Sequence, residues 1–255
     1  MVNFHSLNSK HTGLFKLKKM KTTVHRAGCR GHADHGWLNT WHSFSFAGYY
    51  NPDRMHFGAL RVLNDDTIQA GMGFGTHPHD NMEIITIVLE GELEHRDSMG
   101  NGSVIRPGEV QVMSAGTGIQ HSEFNHSSEN DVSLLQIWVF PDKKNVVPRY
   151  DQAQFQEDEM TGKWRTVVSP DGAEDSLWIN QQAWFSLGIF GPGATISYKL
   201  KKSGNGVYVF LISGEIEIGT ETLNQRDALG IEGIESQISL KTNKQSKVLI
   251  MEIPA

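Results

Sequence analysis

Short runs of alternating or β-branched apolar residues recur along the chain, each closed by turn residues. "ALRVLND" (59–65), "MEIITIVLEGELEHRDS" (82–98), "EVQVMSAG" (109–116) and "SLLQIWVFP" (133–141) read as strands. The same grammar returns beyond residue 165 in "WFSLGIF", "ATISYKL", "GVYVFLISGEIEI", "DALGI" and "VLIMEIP". Long helical periodicity is nearly absent. "MGNGS" (99–103) carries an Asn-Gly pair and predicts a hairpin turn with both central residues at positive φ. Many short strands at close spacing predict an all-β fold of sandwich or barrel type.

The pattern also contains an echo. "IVLEGELEH" (87–95) resembles "VFLISGEIEI" (209–218), an apolar strand, a tight Gly-Glu turn and an alternating strand. "RPGEVQVM" (106–113) is loosely answered by "NQRDALGI" (224–231). Two copies of one β unit are therefore expected, joined through the polar stretch 142–165. The expected division is a flexible extension over 1–20, a first domain over 21–150 and a second over 151–255.

Composition narrows the function classes. At 255 residues the chain can bury a sizeable core. A formal net charge of -6 gives no reason to expect nucleic acid or an anionic membrane as partner. No run is long enough to span a bilayer as a helix. The single cysteine, Cys29, excludes an internal disulfide and fits a reducing compartment, so a cytoplasmic location is expected. The first residues are locally basic, but "GLFKLKKMK" lacks the uninterrupted apolar core of a signal peptide.

Histidine placement adds chemistry to this picture. The chain has 12 histidines and none lies beyond His126, so only the first copy can hold a histidine-rich site. Two pairs share one spacing: His77-Pro78-His79 and His121-Ser122-Glu123, each i, i+2. In a strand that spacing puts both side chains on one face. If the two strands are neighbours, three imidazoles and a carboxylate converge. Such a set suits Fe(II), Mn(II), Co(II), Ni(II), Cu(II) or Zn(II), with two positions of an octahedral ion left for water, dioxygen or substrate. Glu83, four residues beyond His79, is a further oxygen donor on the same strand path. At the second copy's counterparts, "KLKKSGNG" and "SQISLKT" offer no soft ligand.

Other residues carry less. Phe74 and Met113 flank the ligand strands and are candidates for a pocket wall or for barrel core. Arg61 is a candidate anchor for an anionic substrate, or a partner for Asp65 or Asp66. His32 and His35 read as turn or capping residues, and the aromatic segment around His42 as packing that could wall one side of a pocket. His95 alternates with Glu94 and is expected to face solvent. Cys29 has no histidine pattern to activate it. The glycine-rich stretches precede no helix and read as turns.

The spacing resembles the two motifs of the cupin fold. Gly71, His77, His79, Glu83 and Gly91 match the first, with one extra residue before the last glycine. Gly118, His121 and Asn125 match the second, with Gly116 where proline is usual. The wording "GHADHGWLNTWHSFSFAGYYNP", "FGTHPHDNMEIITIVLEGELEHRDSMGN" and "MSAGTGIQHSEFN" is more specific and resembles the pirin family, closely its bacterial quercetin 2,3-dioxygenase-like members. The likeness covers nearly the whole chain from Met20 onward, strongly to about residue 152.

That resemblance implies a bicupin: two antiparallel β-barrels of jelly-roll type packed face to face, with metal in the first. It implies His77, His79, His121 and Glu123 as ligands, whereas the general cupin rule would use Glu83. Glu83 is therefore assigned to the second shell or a reserve role. The resemblance further implies iron as the native metal and a flavonol-like aromatic substrate with dioxygen, Glu123 acting as base. A competing reading is a metal- or redox-sensing module that binds a protein partner, with oxygenation incidental. A monomer is the default.

Overall fold

The computed structural model describes residues 20–255. The expected extension over 1–20 lies outside the described residues except for Met20. Nearly every described element is a strand, and no described helix is long and apolar enough to cross a membrane.

The strands form two jelly rolls of the same plan. In the first, a seven-stranded sheet runs in the spatial order Arg149–Gln154, Glu109–Ser114, Glu83–Glu90, Val132–Val139, Leu60–Ile68, Leu38–His42, Gly31–Asp34. It faces a four-stranded sheet ordered Gly73–His79, Ile119–Asn125, Leu93–Asp97, Gly102–Ile105. In the second, the seven strands run Lys21–His25, Ala228–Glu232, Asn205–Ser213, Ser246–Pro254, Trp184–Phe190, Arg165–Ser169, Leu177–Trp178. Its four-stranded sheet is Thr195–Lys199, Gln237–Thr242, Glu215–Ile218, Glu221–Asn224.

The echo thus corresponds to a repeated topology. Both Gly-Glu turns use a glycine that nothing larger can replace. Gly91 (φ 77) and Gly214 (φ 100) are left-handed, and a Cβ there would lie 2.6 Å from Asp131 O and 2.4 Å from Gln245 O.

A division at residue 150 misplaces two strands. Lys21–His25 pairs with Ala228–Glu232 of the second sheet, and Arg149–Gln154 pairs with Glu109–Ser114 of the first. Each half lends its leading strand to the other. The "MGNGS" turn also differs from expectation, because of its residues only Gly100 has positive φ. Asp97 builds the turn instead: its Oδ1 accepts the N–H of Met99 and of Asn101, and its Oδ2 accepts the Asn101 side-chain amide.

The two large sheets pack face to face. Leu63, Ile85, Ile87, Val112, Leu135 and Ile137 of the first meet Phe185, Leu187, Tyr208, Phe210, Leu249 and Met251 of the second in one buried cluster. Strand Glu83–Glu90 is consequently buried on both faces, which is why its sequence reads as a nearly unbroken apolar run.

Gly116 sets up the site strand. It takes φ 47, and a Cβ would fall 2.0 Å from Val146 O. Its carbonyl accepts the Asn81 N–H at 2.9 Å, and Val146 O accepts the Thr117 N–H at 2.9 Å. These contacts tie the entry of Ile119–Asn125 to the exit of Gly73–His79. Only glycine fits where the general motif has proline. Gly116→Ala is expected to cost more than about 1 kcal/mol, measurable by urea denaturation.

Candidate metal centre

The strands Gly73–His79 and Ile119–Asn125, which carry the candidate ligands, are antiparallel neighbours, with His121 directly opposite His77 and Ile119 opposite His79. Along Ile119–Asn125, positions 119, 121, 123 and 125 are buried and the residues between them are half-buried or exposed. His121 and Glu123 therefore share the inner face, as their spacing predicts. The ladder slips by one residue between His121 and Glu123, so that Glu123 stands opposite Phe74 instead of Gly75. This bulge turns Phe74 to the same face as His77, since one extra residue reverses strand parity.

Three rings meet there. Centroid separations are 4.8 Å for His77–His79, 4.4 Å for His77–His121 and 4.8 Å for His79–His121. The nitrogens of these three lie within 4.8 Å of one another, and a second cluster with the same limit joins His121 to His95 and Glu123. His77 Nδ1 lies 2.9 Å from Gly75 O, so Nδ1 carries the proton and Nε2 keeps its lone pair. His121 is 2 % exposed, and among the described residues neither of its ring nitrogens has a partner. Burial, then neighbouring imidazoles, push His121 down to about 2. Burial, then His77, push His79 down to about 4. At neutral pH both are unprotonated, and their rings lie 4.8 Å apart. That arrangement is costly alone and suits a cation placed between the rings.

Glu123 is buried, and burial pushes it up to about 7. Gln136 Nε2 donates to both of its oxygens, at 3.1 and 2.9 Å. The Gln136 carbonyl accepts the Thr86 hydroxyl at 3.2 Å, which fixes the amide with its NH2 toward Glu123.

Gln136 and Thr86 belong to a polar row. His42, Asn64, Gln136, Thr86 and Gln111 are in register across five adjacent strands. In the second half the equivalent row reads Ser186, Ile250, Val209, Leu229, Val24 from the Asn64 position onward. The second interior is filled by apolar side chains such as Tyr198, Ile216, Leu223, Ile238 and Leu240. Its counterpart of the histidine strand is Thr195–Lys199, slightly earlier than "KLKKSGNG", and it carries no histidine. Gln111 is fully buried with both amide atoms unpartnered among the described residues, leaving hydrogen-bonding capacity in the first interior.

Three sequence expectations are corrected, for Glu83, Arg61 and His95, while Met113 takes the second of its two expected places. Glu83 stands apart from the cluster: its carboxylate accepts Ser114 Oγ–H at 2.7 Å and Asn180 Nδ2–H at 3.1 Å, between the two halves. Met113 packs with Ile84, Ala115 and Ile119 as core. Arg61 donates to the carbonyls of Ser45 and Met55 and holds that loop, while Asp65 pairs with Arg30 and Arg226. His95 is fully buried, opposite Glu123 in the ladder, stacked on Tyr150 at 4.6 Å and 3.5 Å from Asp97. Phe74 does reach the site, its ring 6.4 Å from that of His77.

A cavity of about 650 Å³ opens at the edge of the first jelly roll, lined by Leu38, Thr40, His42, Phe46, Asn64 and Phe74 among others. Its walls come from four strands consecutive along the chain, and the aromatic segment around His42 forms one side, as the sequence suggested.

The chain is 44% identical over 231 residues to a quercetin 2,3-dioxygenase of Escherichia coli strain K12, covering 91% of this chain and 98% of that protein. It is 39% identical over 224 residues to a pirin-like protein of Caulobacter vibrioides, covering 87% and 95%. The family described as Pirin matches residues 22–139. The chain belongs to the pirin family. A second family, described as a quercetinase C-terminal cupin domain, matches residues 166–253. Among solved structures it is similar to the bacterial pirin YhhW of Escherichia coli in complex with nickel(II), at 41% identity and a TM-score of 0.87, covering 92% and 99%. The pirin architecture here is a bicupin, two jelly rolls with one histidine-lined interior.

Proposed function

We propose that this pirin is a metal-dependent dioxygenase that opens flavonols such as quercetin, with Fe(II) held by His77, His79, His121 and Glu123. The observation that carries this reading is the convergence of three imidazoles beside a buried carboxylate. A set of three nitrogens and one oxygen suits a first-row divalent ion, and a relative of the same family is known with nickel(II). The name borne by the Escherichia coli relative supports the reaction class. The open cavity beside the cluster favours an enzyme over a closed sensor.

The bound metal supplies a Lewis acid that lowers the pKa of a flavonol hydroxyl. The remaining work falls to the chain. Gly75 O fixes the His77 ring, and Gln136 holds the Glu123 carboxylate in one orientation. Glu123 accepts the proton of the acidic hydroxyl. Phe74 and Phe46 border the space in which a planar ring system is kept from bulk water. Overall, one dioxygen is consumed and one carbon monoxide leaves per flavonol opened.

The test is anaerobic loading with Fe(II), addition of quercetin, admission of air, and paired recording of dioxygen uptake and quercetin loss. Equal consumption of both supports the reading, and quercetin loss no faster than with Glu123→Ala removes the flavonol assignment.

Metal affinity is expected to depend on pH through Glu123. Its carboxyl is held protonated up to about 7 and must ionise to bind the ion. Through Glu123 alone affinity should therefore rise by up to about tenfold per pH unit between about 5 and about 7, a contribution that then levels off. His79 and His121, already unprotonated in that range, add no slope. Calorimetric titration of wild type and Glu123→Gln checks this: a slope that survives in the variant would assign the proton elsewhere.

A further inference from the structure

The cavity at the barrel edge contains a hydrogen-bonding group that the proposed chemistry does not use. His42 is 4 % exposed and lines the cavity. Its Nδ1 lies 2.8 Å from Asn64 Oδ1 and 3.4 Å from Thr40 Oγ. The amide oxygen only accepts, and the Thr40 hydroxyl is committed as donor to Asp66. Nδ1 therefore carries the proton, and Nε2 is left as an acceptor. Among the described residues Nε2 has no partner, so whatever fills this apolar cavity meets an open acceptor.

The surroundings define the shape of that occupant. Phe46 lies 5.4 Å from the His42 ring and 5.3 Å from Trp138, which in turn lies 4.9 Å from His79. On the opposite side Phe74 bridges Trp37 at 5.2 Å and His77 at 6.4 Å. Two chains of aromatic contact thus link the cavity wall to the clustered histidines, and a planar molecule matches that lining.

Register gives the length. His42, Asn64 and Gln136 are consecutive members of the polar row, and Gln136 holds Glu123. Two strand spacings separate the His42 and Gln136 columns, about 10 Å. The 3-hydroxyl of a flavonol lies about 6 Å from the outermost hydroxyl of its pendant ring, and a hydrogen bond of about 2.8 Å at that end extends the reach to about 9 Å.

We propose that His42 is a specificity-determining residue whose Nε2 accepts a hydrogen bond from a hydroxyl on the pendant ring of the substrate. This rests on the flavonol reading and adds the ring substituent that the site selects. Asn64 acts as a positioning residue that sets the His42 tautomer.

The experiment compares quercetin with 3,5,7-trihydroxyflavone, which has no hydroxyl on the pendant ring. Metal-loaded wild type, His42→Phe and His42→Gln are each titrated by tryptophan quenching and assayed by dioxygen uptake. Metal content is recorded for all three as a check on the fold of the site. Wild type is expected to favour quercetin about tenfold in Kd and in kcat/KM. The ratio should fall toward one in His42→Phe and be largely retained in His42→Gln, which keeps an acceptor. An equal ratio in wild type and His42→Phe overturns the proposal, as does the absence of flavonol binding. Selective binding of quercetin without turnover of either compound would refute the dioxygenase reading and uphold the His42 contact.

Discussion

His121→Ala is expected to abolish metal retention and flavonol oxygenation while leaving the protein folded. The ring is buried among His77, His79 and His95, and both of its nitrogens are unpartnered among the described residues. Each buried unpaired polar group costs about 1–3 kcal/mol, so the metal-free site stores a destabilisation that metal relieves. Truncation removes those orphans and opens a small cavity, two effects of opposite sign on the apo protein. Affinity for metal should fall by more than the 10–100-fold typical of losing an outer-shell partner, because here a direct donor is lost. For wild type, metal at about 1,000 times its Kd adds about 4 kcal/mol, a rise of about 10 °C in Tm. His121→Ala should show no such rise. Metal content after dialysis and thermal melts with and without Fe(II) measure both effects.

Tyr208→Ala is expected to weaken both halves together. Tyr208 sits in the second half's large sheet, but its ring meets Phe44 and Phe57 of the first half at 5.5 Å each. It also meets His25, on the strand lent across, at 5.7 Å, and its hydroxyl lies 2.8 Å from His25 Nδ1. All are buried, and truncating a large aromatic in such a core costs about 3–5 kcal/mol. His25, pushed down to about 4 by burial, would also lose its partner. Urea denaturation should show one transition shifted to lower midpoint in both far-UV signal and tryptophan emission. Tyr208→Phe removes only the hydroxyl and should cost about 1–2 kcal/mol.

The meeting of the two spaced pairs was legible because its information is local. Each pair lies on a single strand, and i, i+2 spacing alone places His77 with His79 and His121 with Glu123. Their meeting required in addition that two strands separated by four others along the chain become neighbours, as they do. The repeat was legible for the same reason, through its two Gly-Glu turns. What was not legible is non-local or depends on parity. His95 and Glu94 alternate, and nothing within "LEHRD" decides which of them faces inward. That is decided by pairing with Glu123, far along the chain. The strand Lys21–His25 is short and finds its partner some two hundred residues later, so no boundary read from composition could assign it. Arg61 looked free to bind substrate because the carbonyls of Ser45 and Met55 that hold it leave no mark in sequence. Glu83 obeyed the general motif but points between the two halves, and Asn180, its partner there, lies in the second.

The most direct test of the metal centre is an anomalous difference map from a crystal soaked anaerobically with Fe(II) and recorded at the iron edge. One peak within bonding distance of His77, His79, His121 and Glu123 is the result this account predicts. A peak displaced to His95, His121 and Glu123 without His77 and His79, or no peak in the first jelly roll, would contradict it.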